Sequence, residues 1–306
     1  MWKYFSGAFL GWGLGSNDAA NVFGTGVATG LVRFRTAAVL ISIFVILGSV
    51  IEGPKVMNTV GNMATLDAIS AFYATLAAAL VMFGMSALGL PSSSSQAIMG
   101  ALVAIGIVTG STDLSLLNKV VLCWLFTPVG AAAISALLYP SLGYLLGALL
   151  ARPEQRTLTL RIAIVIAGCY GSYALGGNNV ANVSGVYVGS HLMTPINASL
   201  FGGLAIALGV LTYSKKVMMT VGQKIFPLDA FTAFVAVLSQ AITAHIFTQI
   251  GVPVSSSQAI VGAVIGIGLV KDMNAISRRI VIGILVGWLA TPTIAGILCF
   301  LFIKLF

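Results

Sequence analysis

Charge is scarce in this sequence. Of 306 residues only 7% are Asp, Glu, Lys or Arg, and only seven are acidic. A soluble domain carries about 25% charged residues, so a water-soluble globular protein is excluded. Cysteine is rare too: Cys123, Cys169 and Cys299 are widely spaced within apolar runs. That spacing excludes a disulfide framework or a zinc motif and leaves three small core residues. With two histidines, His191 and His245, packed or interfacial roles are expected rather than metal ligation. No Gly-x-x-x-x-Gly-Lys loop is present to cradle a nucleotide, which argues against a primary pump. No Gly-x-Ser-x-Gly elbow is present either, and only His245 is near enough to the Ser255 region to suggest a base, so an enzyme is not expected.

Hydrophobic residues make up 58% of the chain. Apolar runs near the roughly 20 residues of a membrane span recur throughout: 36–51, 68–90, 120–138, 160–175, 197–211, 231–250 and 280–306. Residues 1–13 run straight into a polar stretch with no small-residue cleavage pattern and read as part of a span, not a cleaved leader. The fold class expected is an all-α, multi-pass protein of the cell (inner) membrane, embedded in the lipid bilayer.

Polar motifs repeat in order. Asn17-Asp18-Ala19-Ala20-Asn21 returns 161 residues later as Asn178-Asn179-Val180-Ala181-Asn182. Pro91-Ser92-Ser93-Ser94-Ser95-Gln96 returns after 162 as Pro253-Val254-Ser255-Ser256-Ser257-Gln258. Trp124 with Thr127-Pro128 returns after 164 as Trp288 with Thr291-Pro292. Two homologous halves follow, residues 1–151 and 158–306, joined by a short cytoplasmic linker at 152–157. Loop charge orients them. Arg33, Arg35, Arg152, Arg156, Arg161, Lys215, Lys216, Lys224, Lys271, Arg278 and Arg279 fall on one side if the halves are inverted. Only Lys3, Lys55, Lys119 and Lys304 fall on the other. The basic side is cytoplasmic by the positive-inside bias, which places both termini outside. The same bias explains the formal charge of +8 without nucleic acid.

Each serine motif sits between two apolar arms. The second arms, 96–109 and 258–270, are too short to cross a hydrocarbon core of about 30 Å. They are expected as half-helices of two re-entrant, serine-tipped hairpins entering from opposite faces, with helix breaks at Gly15 and at Gly176-Gly177. Transporters with inverted repeats place their site at such an interface. Helix starts offer free N–H groups and partial positive charge, and serine hydroxyls add donors, so the pair suits an anion. Capping alone would need fewer serines.

Asp18 is the one acid deep inside a span. Glu52, Asp67, Asp113, Glu154, Asp229 and Asp272 lie at span ends or in loops, where solvated or capping roles are expected. A buried carboxylate beside an anion site, with no Lys or Arg to pair with, requires a cation. Na⁺ held by carboxylate, amide, hydroxyl and unwound backbone oxygens fits, as does a proton.

The Asn-Asp-x-x-Asn and Pro-x-Ser-Ser-Ser-Gln motifs resemble those of the inorganic phosphate transporter family, which includes sulfate permeases. The likeness extends over nearly the whole chain. It implies a homodimeric symporter of a tetrahedral oxyanion driven by Na⁺ or H⁺, with no cofactor beyond the coupling ion. Carried onto this sequence, the oxyanion falls to Asn21, Ser92, Ser93, Ser94, Ser95, Asn179, Asn182, Ser255, Ser256 and Ser257. The cation falls to Asn17, Asp18, Gln96, Asn178 and Gln258. Phosphate-type members usually carry Asp in both repeats, whereas this chain has Asn179 in the second, and their long hydrophilic loop is absent. Sulfate bears no proton at neutral pH and wants donors on every oxygen, so an amide in place of a carboxylate moves the expectation toward sulfate over phosphate. An anion channel is the remaining alternative, and it would need neither Asp18 nor mirrored motifs.

Overall fold

A computed structural model of the chain describes residues 2–87, 92–149, 153–220, 228–271 and 278–306. Pro91, Arg152, Lys224 and Asp272 of the sequence reading lie outside the described residues. The order is α1 (Phe5–Ala28), α2 (Phe34–Glu52), α3 (Pro54–Gly61), α4 (Ala68–Ala87), α5 (Ser94–Thr109), α6 (Leu114–Leu149), α7 (Pro153–Gly189), α8 (Pro195–Thr220), α9 (Ala230–Ile250), α10 (Ser256–Lys271) and α11 (Arg278–Leu305). Among the described residues there is no strand. Seven helices among the described residues, α2, α4, α6, α7, α8, α9 and α11, are long and apolar enough to cross a membrane. Their exposed faces carry Leu, Ile, Val and Phe, as contact with lipid rather than water requires.

The expected helix breaks are absent. α1 runs unbroken through Gly15-Ser16-Asn17-Asp18, and α7 through Gly176-Gly177-Asn178-Asn179. The glycines serve close approach instead. A β-carbon on Gly15 would overlap the backbone carbonyl of Ile206 in α8, and one on Gly176 would overlap that of Val45 in α2. Both partners in these contacts are 161 positions apart, Gly15 from Gly176 and Val45 from Ile206. Only a residue without a β-carbon lets two helix backbones meet so closely. With both helices intact, the carbonyls of these stretches stay within helical hydrogen bonds, so the unwound backbone oxygens expected from the sequence are not present there.

Two antiparallel hairpins are formed by α4 with α5 and by α9 with α10. Each is tied at its base. Lys271 Nζ lies 3.2 Å from Asp229 Oδ2 at the far ends of α10 and α9. In the other hairpin Ser111 Oγ accepts from Thr65 N–H at 2.9 Å, and Asp113 N–H donates to Met63 O at 3.2 Å. Both returning arms have 16 residues, about 24 Å at 1.5 Å per residue, short of a full crossing.

The hairpin arms seat on the proline-containing helices. Pro128 interrupts α6 and Pro292 interrupts α11. Thr127 and Thr291 turn their hydroxyls back to the carbonyls of Cys123 (2.6 Å) and Gly287 (2.7 Å). Gly262 of α10 lies against the Pro128 carbonyl, and Gly100 of α5 against that of Pro292, with no room for a β-carbon. The most extensive packing pairs include α1 with α8, α2 with α7, α6 with α10 and α5 with α11, which join an early helix to a late one, and α7 with α9, which joins two late ones.

Three acids cap helices as expected. Asp229 accepts from the Phe231 and Thr232 N–H groups and Asp113 from that of Leu116, while Asp67 accepts from the Ser70 N–H and hydroxyl. The bonds from Ser70 hold the Asp67 carboxyl below its ordinary range. Two expectations change. Glu52 is buried at 9% exposure within a polar cluster rather than solvated. The segment joining the halves is helical from Pro153, which opens α7 with Glu154 in its first turn; proline is favoured there because its missing N–H is not needed. Cys123 and Cys299 are buried and all three cysteines are free.

Candidate functional site

The tips of the two hairpins meet in the protein interior. Ser257 Oγ donates to the Ser92 backbone carbonyl at 3.1 Å, so the serine motifs, 162 residues apart, touch directly. Within each motif one serine does what capping demands. The Ser93 hydroxyl accepts from Gln96 N–H at 3.4 Å and the Ser255 hydroxyl from Gln258 N–H at 3.2 Å. Each then contacts a second serine, Ser93 with Ser95 at 3.1 Å and Ser255 with Ser257 at 2.9 Å. Capping therefore accounts for Ser93 and Ser255; Ser92, Ser94 and Ser256 are left for other work. Pro253 lies before the cap rather than in the first turn of α10.

A directed chain of hydrogen bonds links the four polar motifs. Asn182 Nδ2 donates to Asn179 Oδ1 at 3.1 Å and to Ser94 Oγ at 3.3 Å. Asn179 Nδ2 donates to Ser256 Oγ at 3.4 Å, and Ser256 Oγ donates to Asp18 Oδ2 at 2.8 Å. The first serine motif is thus held by α7 and the second by α1. All members are buried: Asp18 is 3% exposed, Asn179 2% and Asn182 0%. The chain has one direction because it ends on a carboxylate, which can only accept while ionised. Asn179 stands where its amide can donate toward that end. A carboxylate at 179 would compete with Asp18 for the single Ser256 proton.

Several buried polar atoms around this chain have no hydrogen-bond partner. Asn21 Nδ2 and Ser92 Oγ are potential donors; Gln96 Oε1, Gln258 Oε1 and Asn182 Oδ1 are acceptors. Leaving such a group unpaired costs about 1–3 kcal/mol, and protein interiors rarely tolerate several together. Donors suit the oxygens of an anion and amide oxygens suit a hard cation, so the orphaned set matches a joint anion and cation site. Gln96 and Gln258 are 162 positions apart, and both orphans are carbonyl oxygens.

Not every expected residue sits at this centre. Asn178 Nδ2 donates to Thr248 Oγ1 (3.1 Å) and Val252 O (3.0 Å), and its Oδ1 accepts from Val254 N–H (2.8 Å). Its amide binds the turn between α9 and α10 and so braces a hairpin tip, apart from the chain that ends on Asp18. The sequence reading missed other braces: Trp124 Nε1 donates to Pro253 O at 3.2 Å and Lys119 Nζ to Ile250 O at 3.1 Å. The recurrence of Trp124 as Trp288 was the available signal for the first. Gln240 of α9 was also missed; it is 2% exposed and its Oε1 has no partner.

Buried serine tips that meet beside the Asp18 carboxylate, among helices long enough to cross a membrane, suit a membrane carrier for a small ion. The chain belongs to the phosphate transporter family (PHO4), whose sequence profile it matches over residues 14–299. It is 30% identical over 288 residues to "Putative phosphate permease MJ0630" of Methanocaldococcus jannaschii, covering 94% of this chain and 91% of that one. It is 27% identical to "Sulfate permease CysP" of Bacillus subtilis, over 97% of this chain and 85% of that one. Its fold matches a solved structure described as "The sodium-dependent phosphate transporter" with a TM-score of 0.86 at 22% identity, covering 99% of this chain and 98% of that one. The protein is a multi-pass integral membrane transporter, not an enzyme.

Proposed function

We propose that this protein is a symporter of a tetrahedral inorganic oxyanion coupled to Na⁺ or H⁺, built from two inverted halves at 1–151 and 158–306. The observation that carries the reading is the hydrogen-bond chain from Asn182 through Asn179 and Ser256 to Asp18, flanked by unpartnered donors and unpartnered amide oxygens. Ser92, Ser94, Asn21 and the two helix starts face the anion; Asp18, Gln96 and Gln258 face the cation, with Asn17 beside Asp18 in the same turn of α1. A cation lowers the repulsion between Asp18 and the anion, so each ion favours binding of the other, which is the thermodynamic content of coupling. The matched glycine contacts at one offset, and the paired contacts of α1 with α8 and α2 with α7, support the two halves.

Two oxyanions compete. Sulfate is favoured by Asn179, an amide where a second carboxylate would suit a protonated guest, and by the likeness to the CysP permease. Phosphate fits at least as well on the relatives, since the matched family and the solved neighbour are described for phosphate, and Asp18 remains to accept a phosphate proton. Uptake of labelled sulfate and labelled phosphate into liposomes, with and without an imposed Na⁺ gradient, separates them. Na⁺-stimulated uptake of either anion supports symport. Flux of both anions indifferent to Na⁺ and proton gradients would mean a channel and overturn the reading.

A further inference from the structure

A second polar cluster lies at the tip of α9, apart from the oxyanion site. Glu52, the last residue of α2, accepts from Lys55 Nζ at 3.1 Å, from the Gln249 amide and from the Tyr173 hydroxyl at 3.2 Å. Lys55 also donates to Gln249 Oε1 at 2.7 Å, closing a triangle. His245, one turn before Gln249, places Nε2 3.8 Å from Glu52 Oε1, while its Nδ1 shares a 2.8 Å hydrogen bond with Tyr170. Thr59 of α3 donates to the Gly251 carbonyl just beyond. The α9–α10 tip, and with it Ser255–Ser257, is therefore held to the α2–α3 corner.

We propose that Glu52 and His245 form a proton-binding pair that clasps this hairpin tip to the α2–α3 corner, tighter when the imidazole is protonated. At 3.8 Å a neutral imidazole gains little from the carboxylate, and a charged one gains an ion pair. The His245 side chain is 30% exposed rather than sealed in the core. Packing does not require these groups. The positions related to Tyr170, Tyr173, His245 and Glu52 by the repeat offsets are Phe9, Trp12, Phe83 and Tyr213. There the same corner is closed by ring contacts, Phe9 with Phe83 at 6.1 Å and Trp12 with Tyr213 at 5.4 Å. Lys55 recurs at the offset as Lys216, but the carboxylate and the imidazole have only aromatic counterparts, so the Glu52–His245 pair exists at one hairpin only.

The groups facing His245 are Glu52 from α2, Lys55 from α3, and Tyr170 and Tyr173 from α7. On the other elements packed against α9, Lys119 of α6 is bonded to Ile250 O, and Tyr139 of α6 meets Phe231 at the opposite end of α9. Asp18 of α1 is engaged by Ser256, and Lys271 of α10 by Asp229. Lys55 is paired with Glu52 through Oε2, which leaves Oε1 for the Tyr173 hydroxyl and for His245.

The effect on transport rests on the symport reading: protons at this face would hold the tip closed and slow the carrier. The clasp itself is tested without any transported ion, by backbone hydrogen exchange in residues 246–254 of the purified protein. Exchange is corrected for its intrinsic pH dependence and compared between about pH 5 and about pH 8, where histidine ordinarily changes charge. In the wild-type protein, protection should be about fivefold higher at the acidic end, the upper range for a partly exposed ion pair. His245→Phe, which copies the counterpart Phe83, and Glu52→Gln, which keeps the hydrogen-bonding shape, should both abolish the pH response. A His245→Phe protein that responds to pH as the wild type does overturns the clasp, whatever the uptake measurements show.

Discussion

At the scale of single residues the site is organised by one carboxylate. Asp18 terminates the hydrogen-bond chain and is the sole acid among the orphaned donors and acceptors. Asp18→Asn keeps the shape and removes the charge, and is expected to lower cation-driven uptake about a hundredfold or more, as losing one partner of a buried ionic contact does. Liposome uptake under a Na⁺ gradient measures it; uptake within a few fold of wild type would remove Asp18 from coupling. Asn179→Asp places a second acid against Ser256, and should shift the phosphate-to-sulfate uptake ratio about tenfold toward phosphate. An unchanged ratio would show that Asn179 serves only to orient Ser256. Asp18 and the serines stand out in the sequence because an ionisable group or a run of hydroxyls is rare in an apolar chain, and the structure brings them together. The bonds of Asn178 to Val252 and Val254 were not legible, because an amide at that spacing suits a cation or a backbone turn equally.

At the scale of elements the close helix contacts matter most. Gly15→Val drives a branched side chain into the Ile206 carbonyl and should cost at least about 1–3 kcal/mol of stability, read as a lower thermal midpoint in detergent. Gly13→Ala, two residues away with nothing within 4 Å of the added carbon, should leave the midpoint unchanged or slightly raised. Equal effects of the two would show that the α1–α8 approach is looser than described. At the base of the second hairpin, Asp229→Ala removes the cap of α9 and should cost about 1 kcal/mol. These glycines looked like helix breakers in the sequence, beside polar residues in an apolar span. A small residue for close packing and a small residue for a break share one sequence signature, and the neighbouring helix distinguishes them.

At the scale of the whole molecule, the unequal distribution of Lys and Arg predicts the orientation. If the basic loops are inside, a cysteine introduced at Gln155 should react with a membrane-impermeant reagent only from the cytoplasmic side, and one at Thr194 only from outside. Reaction of both from the same side would rule out inverted halves. The repeat offset also recurs in a backbone detail that motif spacing does not require. Gly30 and His191, 161 positions apart, follow α1 and α7 and both have positive φ, 74° and 56°. Glycine reaches that region at no steric cost, whereas histidine tolerates it less readily, so the turn shape is kept although the residue differs.

Composition alone made this an all-helical membrane protein, because a chain with so few charges and such long apolar runs must satisfy its backbone internally. Recurrence alone paired the serine tips and the asparagine stretches, because matched offsets survive without knowledge of contacts. Which residues touch was decided by tertiary structure. Glu52 and His245 are far apart in the chain and neither belongs to a repeated motif, so nothing local announces their meeting. The straightness of α1 and α7 was decided there too, since a carbonyl on the facing helix turns a glycine from a break into a seat.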